Sequence, residues 1–208
     1  DLKFAHNGGL KFIHRDEFIT LKYDDFIKEI KHDVDCEKKY NINYVPWNFV
    51  TSNIYCEKYL SWVNNKDKQC VINVGFPASG KSHYSAMLHT LHNFTIINQD
   101  ALGSSTKVKK MINECAAKGE NVVIDNTNLC VDTRKNIVDV YKNNGYKIII
   151  VYFEISIDQC KHNMYYRYLF MKGNYIPSIV YNKMKKQFEC PTHNECDIII
   201  KVSNDIID

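Results

Sequence analysis

The run Gly75, Phe76, Pro77, Ala78, Ser79, Gly80, Lys81, Ser82 constrains this chain more than any other feature. It reads G-x-x-x-x-G-K-[ST], follows the apolar run VINV and precedes a helical pattern, the strand, loop and helix context in which such a loop cradles phosphate. Gly75 and Gly80 permit backbone geometry that residues with a Cβ resist, so successive N–H groups turn toward phosphate oxygens at the N-terminus of the next helix. In that setting Lys81 reaches the β and γ phosphates and the Ser82 hydroxyl serves as an Mg²⁺ ligand. The bland alternative is a glycine-containing turn with an exposed lysine, and the complete motif in its proper context outweighs it. A phosphate loop alone leaves motor, switch protein and kinase open. No NKxD segment follows the fourth apolar run, which weakens the switch, and 208 residues leave little room for the accessory parts of a motor. A small kinase becomes the leading class.

Short apolar runs alternate with amphipathic stretches from Val71 onward. VINVG (71–75), FTIIN (94–98), NVVID (121–125), YKIIIVYFE (146–154) and CDIIIKV (196–202) are rich in Ile and Val and nearly continuous in hydrophobicity, as strands buried on both faces should be. Helical patterns lie between them at Lys81 to Leu91, Ser105 to Lys118, Asp132 to Asn143, and in a double segment from Asp158 to Gln187 broken at Gly173 and Pro177. The expected fold is therefore α/β, a P-loop NTPase of the kinase type with a five-stranded parallel sheet flanked by helices. Residues 69–208 form that domain, 31–68 a linker and lead-in helix, and 1–30 a flank whose few large apolar residues cannot build a core alone.

Composition narrows the setting. With 45% hydrophobic residues, Gly 8 and Pro 4, the chain fits no collagenous or low-complexity class. The net charge of +3 is far from the strong basic balance of a domain that binds nucleic acid by charge alone. That small total is unevenly spread: residues 101–208 hold 15 Lys+Arg against 12 Asp+Glu, whereas residues 1–60 hold 9 against 10. Eight cysteines at wide spacings with no CxxC pair argue for free thiols in a reducing compartment, nucleus or cytoplasm. No run approaches the roughly 18 apolar residues of a membrane span. The start, DLKFAHNGGLKF, carries neither signal peptide nor initiator Met, and a piece of a longer, monomeric protein is expected.

A kinase acting on an alcohol needs a group that takes the hydroxyl proton or orients the oxygen toward the γ-phosphate. Asp100, closing FTIINQD, and Asp125, closing NVVID, both sit at the carboxyl end of an expected parallel strand, the edge where open α/β sheets build their sites. Either could instead be a helix cap or turn residue. Cationic groups must meet the transferring phosphoryl group, and Arg167, in the helix after the fourth strand, is the candidate, against its reading as a solvated surface charge.

Together these residues resemble the 5′-kinase domain of the polynucleotide kinase/3′-phosphatase family. GFPASGKS is similar to that family's GFPGxGKS, INQDALGS to VNRDTLGS, VVIDNTN to xxIDNTN, KHNMYYR to its HNNxxR-type lid helix, and IPSIVYNKMKKQFECP to IPxxxYxxxxKxFExP. The opening DLKFAHNGGLKFIHRDEFI resembles the end of the family's phosphatase domain, while the DxDGT nucleophile motif is absent from these residues. The resemblance implies ATP and Mg²⁺, with Gly75, Phe76, Pro77, Ala78, Ser79, Gly80, Lys81 and Ser82 on ATP, Asp100 as general base, Asp125 with Ser82 at the metal, and Arg167 on the transferring phosphoryl group. It also implies Gln99, Thr127, Asn128 and Lys107 as contacts to DNA or RNA with a 5′-hydroxyl end, in the context of DNA end repair. Gln99 replaces the family's Arg before the general base, Met164 an Asn, and Tyr165 an additional Arg of some members, so fewer cations surround the acceptor. Two other readings stay open: a P-loop kinase of small molecules, and an ATP-dependent module that binds DNA ends without turnover.

Overall fold

The computed structural model describes residues 60–63, 67–170 and 173–203. The chain divides into two units, Asp1–Val45 and Pro46–Asp208, and the described residues lie in the second. The expectations for residues 1–30 and for nearly all of 31–68 thus fall outside the described residues.

Among the described residues five strands and six helices alternate: β1 (Gln69–Val74), α1 (Lys81–His92), β2 (Thr95–Ile97), α2 (Gln99–Leu102), α3 (Ser105–Lys118), β3 (Val122–Ile124), α4 (Val131–Asn143), β4 (Lys147–Phe153), α5 (Ile157–Phe170), α6 (Ser178–Gln187) and β5 (Ile198–Val202). The strands form one sheet in the order β2-β3-β1-β4-β5, and every pairing is parallel. This is the doubly wound sheet that the Ile/Val runs predict. Central β1 pairs Ile72 with Ile124 on one side and with Ile150 on the other.

Strand periodicity divides the core into two layers, because successive side chains leave opposite faces of a sheet. From β1, Cys70, Ile72 and Val74 join a layer with Val108 and Ile112 of α3 and Ile137, Val138 and Tyr141 of α4. Val71 faces the other way, into a layer with Tyr84 and Leu88 of α1, Cys160 of α5 and Tyr181 of α6. Each fully buried Ile or Leu contributes about 1.5–3 kcal/mol, so this double layer fixes the sheet on which the loops stand.

Helix ends follow local chemistry. Ser104 caps α3 by accepting the Lys107 N–H, and α3 stops where Gly119 turns to φ 77. Among the described residues, Cys70, Cys115, Cys130, Cys160, Cys190 and Cys196 are free thiols, and no helix is long and apolar enough to cross a membrane.

Candidate active site

All the candidate groups carried by strand ends meet at the carboxyl edge of the sheet. Directly after β1, the Gly75 N–H donates to the Thr127 carbonyl at 3.1 Å, which ties the phosphate loop to the loop leaving β3. A Cβ at Gly75 would stand 3.0 Å from Phe153 Cβ and 3.0 Å from Ser79 Oγ, so the glycine is required by space. Ala78 and Gly80 both take left-handed backbone, at φ 60 and φ 100, and no side chain caps the N-terminus of α1. Ser82 is exposed in the first turn of α1, whereas Lys81 is 7% exposed.

Lys81 Nζ curls back and donates to the Phe76 carbonyl at 2.6 Å and to Ser79 Oγ at 3.3 Å. Burial lowers its pKa to about 8; the negative charge of Asp125 opposes this, and the charge of Arg167 adds to it. Arg167 is exposed on α5, and its carbonyl accepts the Gly173 N–H at 2.9 Å. The same helix touches the phosphate loop through Asn163, whose Nδ2 donates to the Ala78 carbonyl at 3.1 Å. From α6, the Tyr181 hydroxyl donates to the Pro77 carbonyl at 3.4 Å.

Asp125 is 6% exposed, and its Oδ1 is buried without a hydrogen-bond partner. Leaving a buried carboxylate oxygen unpaired is costly, and a cation is the natural partner for it. Among the described residues no three His, Cys, Asp or Glu cluster closely enough to hold a metal by themselves. That suits Mg²⁺, which is commonly held by one or two protein oxygens together with substrate phosphates. Asp125 and the exposed Ser82 fit such a role.

Asp100 stands exposed on α2, the single turn that follows β2. Gln99 is exposed beside it, and its N–H donates to Asn126 Oδ1 at 3.0 Å. Thr127 is half-buried in the loop after β3. Asn128 is 4% exposed in left-handed backbone at φ 46, and its Nδ2 donates to the Asn73 carbonyl of β1 at 2.8 Å. Lys107 lies exposed on α3, where its N–H donates to Ser104 Oγ at 3.3 Å.

Two groups escaped sequence reading. Asn98 links the α2 turn to Asp125, donating from Nδ2 to the Asp125 carbonyl at 2.6 Å and to Oδ2 at 3.4 Å while its Oδ1 accepts the Ala101 N–H at 3.0 Å. An Asn immediately before a short helix is an N-cap signal that could have found it. Fully buried Arg134 donates to the Asn128 and Leu129 carbonyls, each at 3.0 Å, and forks onto Glu195 at 2.6 and 3.1 Å. No local pattern marks that pair.

Residues 71–191, more than half of the chain, match the family described as AAA domain. A relative from Schizosaccharomyces pombe (strain 972 / ATCC 24843), 29% identical over 94% of this chain and 45% of its own length, is named bifunctional polynucleotide phosphatase/kinase. A relative from Acanthamoeba polyphaga mimivirus, 27% identical with the same coverage, is named for the same pair of activities. The chain thus spans about half the length of the curated relatives it matches. Among solved structures, a Chloroflexus aurantiacus j-10-fl protein assigned as a kinase superposes with a TM-score of 0.53 at 15% identity, covering 68% of this chain and 88% of that one. That likeness concerns the fold. Both relatives carry the name of the family that the motifs resemble.

Proposed function

We propose that this chain, which belongs to the AAA-domain family, transfers the γ-phosphate of ATP to the 5′-hydroxyl end of DNA or RNA. The observation that carries the reading is the convergence at one sheet edge of the phosphate-loop lysine with two strand-end carboxylates, Asp100 and Asp125, the latter felt electrostatically by Lys81. The acceptor class rests on the five family motifs and on the names of the two relatives.

In this reading Gly75 to Ser82 wrap the triphosphate, with loop N–H groups and the uncapped start of α1 facing its oxygens. Asp100 takes the proton of the 5′-hydroxyl as the new O–P bond forms and the bond from the γ-phosphorus to the bridging oxygen breaks, releasing ADP. Lys81 and Arg167 oppose the charge that builds on the equatorial oxygens. Asp125 and Ser82 are the residues that would hold Mg²⁺, which would neutralise charge between the β and γ phosphates when bound. Gln99, Thr127 and Lys107 face the acceptor strand, and Asn128 serves that surface by holding the loop to β1. A 3′-phosphatase in the intact protein, an intracellular place in DNA end repair and a monomeric state complete the proposal.

The test incubates the protein with Mg²⁺, γ-labelled ATP and a 5′-hydroxyl oligonucleotide. Wild type should label the oligonucleotide, and Asp100→Ala should lower the rate about 10²- to 10⁴-fold, the range for loss of a general base. Folded wild-type protein that transfers no label would overturn the reading, and undiminished transfer by Asp100→Ala would overturn the assignment of the base.

A further inference from the structure

We propose that Asn98 is a positioning residue that, together with Asn126, holds Asp100 and Asp125 in one register across the β2–β3 edge. The inference rests on the kinase reading above for its functional meaning, and on hydrogen bonds for its geometry.

Asp100 stands on weak local ground. Its helix, α2, is four residues long and contains no fully buried residue; from α2 only the half-buried Leu102 packs against the core. A single helical turn is unfavourable by itself, because several dihedral angles are fixed for one hydrogen bond. Polar bonds supplement that contact at the end of the turn that carries Asp100. Asn98 Oδ1 accepts the Ala101 N–H at 3.0 Å, capping α2 from its own N-terminus. The opposite end of the same amide reaches across to β3, donating to the Asp125 carbonyl at 2.6 Å and to its Oδ2 at 3.4 Å. From the β3 side, Asn126 Oδ1 accepts the Gln99 N–H at 3.0 Å, and the Asp125 N–H donates to the Ile97 carbonyl at 2.9 Å. Bonds run in both directions between the turn that carries the base and the strand end that carries the second carboxylate.

The residue type follows from this double duty. Ser or Asp at position 98 could still cap the turn, since either offers an acceptor oxygen. A serine has one polar atom on a shorter side chain in place of the separate oxygen and nitrogen with which the amide serves Ala101 and Asp125, and an ionised Asp has no donor and would set a like charge against the Asp125 carboxylate. With Asn98, the Oδ2 of Asp125 is satisfied and its Oδ1 stays without a protein partner.

The experiment uses the full chain and the variants Asn98→Ser, Asn98→Asp and Asn126→Ala. In single-turnover transfer to a 5′-hydroxyl oligonucleotide, Asn98→Ser should lower the transfer rate constant about 100-fold with the KM for ATP within about twofold of wild type, as expected for a small misplacement of reacting groups. Asn98→Asp should lose at least as much, because its cap survives while its charge repels the Asp125 carboxylate. The double variant Asn98→Ser/Asn126→Ala should lose little beyond the worse single variant, since both arms serve one clasp. Wild-type rates in both Asn98 variants, or losses that simply track a falling midpoint, would overturn the proposal. Amide hydrogen exchange read without substrate separates this outcome from failure of the kinase reading. Asn126→Ala should speed exchange at Gln99, and Asn98→Asp should leave Ala101 protected; unchanged exchange at Gln99 would overturn the clasp whatever the acceptor.

Discussion

Burial of Lys81 beside the loop makes it a sensitive probe of ligand charge. Its pKa stands near 8 in the free protein, and bound phosphates favour the charged form, so nucleotide binding should take up a proton as pH passes 8. The sign follows: affinity for ATP weakens as pH rises above about 8, because the free lysine must then be protonated to bind. Calorimetry in buffers of different ionisation enthalpy would detect the uptake, and proton release on binding would contradict it. Ala78 offers a second residue-scale prediction. Its φ of 60 puts a side chain where glycine is favoured, a cost of about 1–2 kcal/mol. Glycine relieves that cost but loosens the unfolded chain by about 0.4–1 kcal/mol, so Ala78→Gly should stabilise the protein by roughly 1 kcal/mol or less in urea unfolding. The loop residues were legible because phosphate binding demands particular residues in consecutive positions. Asn98 was not, because its importance comes from a neighbour on another strand.

At the scale of elements, the strands were legible for a simple reason: a strand buried on both faces has no polar face, and the Ile/Val runs announce it. The boundaries at Gly173 and Pro177 in the double helical segment also fell where α5 ends and α6 begins. The one-turn α2 went unseen, since four residues display no helical period. The clasp between α4 and the segment before β5 was equally hidden, as Arg134 and Glu195 lie 61 residues apart. That pair fixes the loop behind Asp125 and yields a test. Removing one partner of a buried ion pair costs about 3–5 kcal/mol, so Arg134→Met should lower stability by an amount of that order in denaturant unfolding. Glu195 carries the pH signature. Burial works to raise its pKa, but hydrogen bonds from Arg134 and Thr192 and the guanidinium charge outweigh this and hold it below the ordinary Glu value of 4.5. A depressed carboxylate contributes stability that is present above the unfolded pKa and lost as pH falls through the folded one. Thermal midpoints should therefore decline below pH 4.5, and the decline should be shallower in Glu195→Gln.

The whole molecule combines a conventional sheet with a mild charge. Strand order β2-β3-β1-β4-β5 could not be read from the chain, because it depends on which runs pair in space. That order places β3 beside β1 and thereby sets Asp125 next to the phosphate loop, so the step from motif to site required the structure. A net charge of +3 leaves little for long-range attraction of a polyanion, so under the proposed function recognition would depend on the strand end itself. The central claim is that the acceptor is the 5′-hydroxyl of a nucleic-acid strand, and a single competition assay tests it. Wild-type protein, Mg²⁺ and γ-labelled ATP are mixed with a 5′-hydroxyl oligonucleotide, the same oligonucleotide already phosphorylated at its 5′ end, and a large excess of nucleosides and small sugars. Label is expected on the 5′-hydroxyl oligonucleotide alone; label on a small-molecule alcohol, with the oligonucleotide left unlabelled, would rule out a nucleic-acid acceptor.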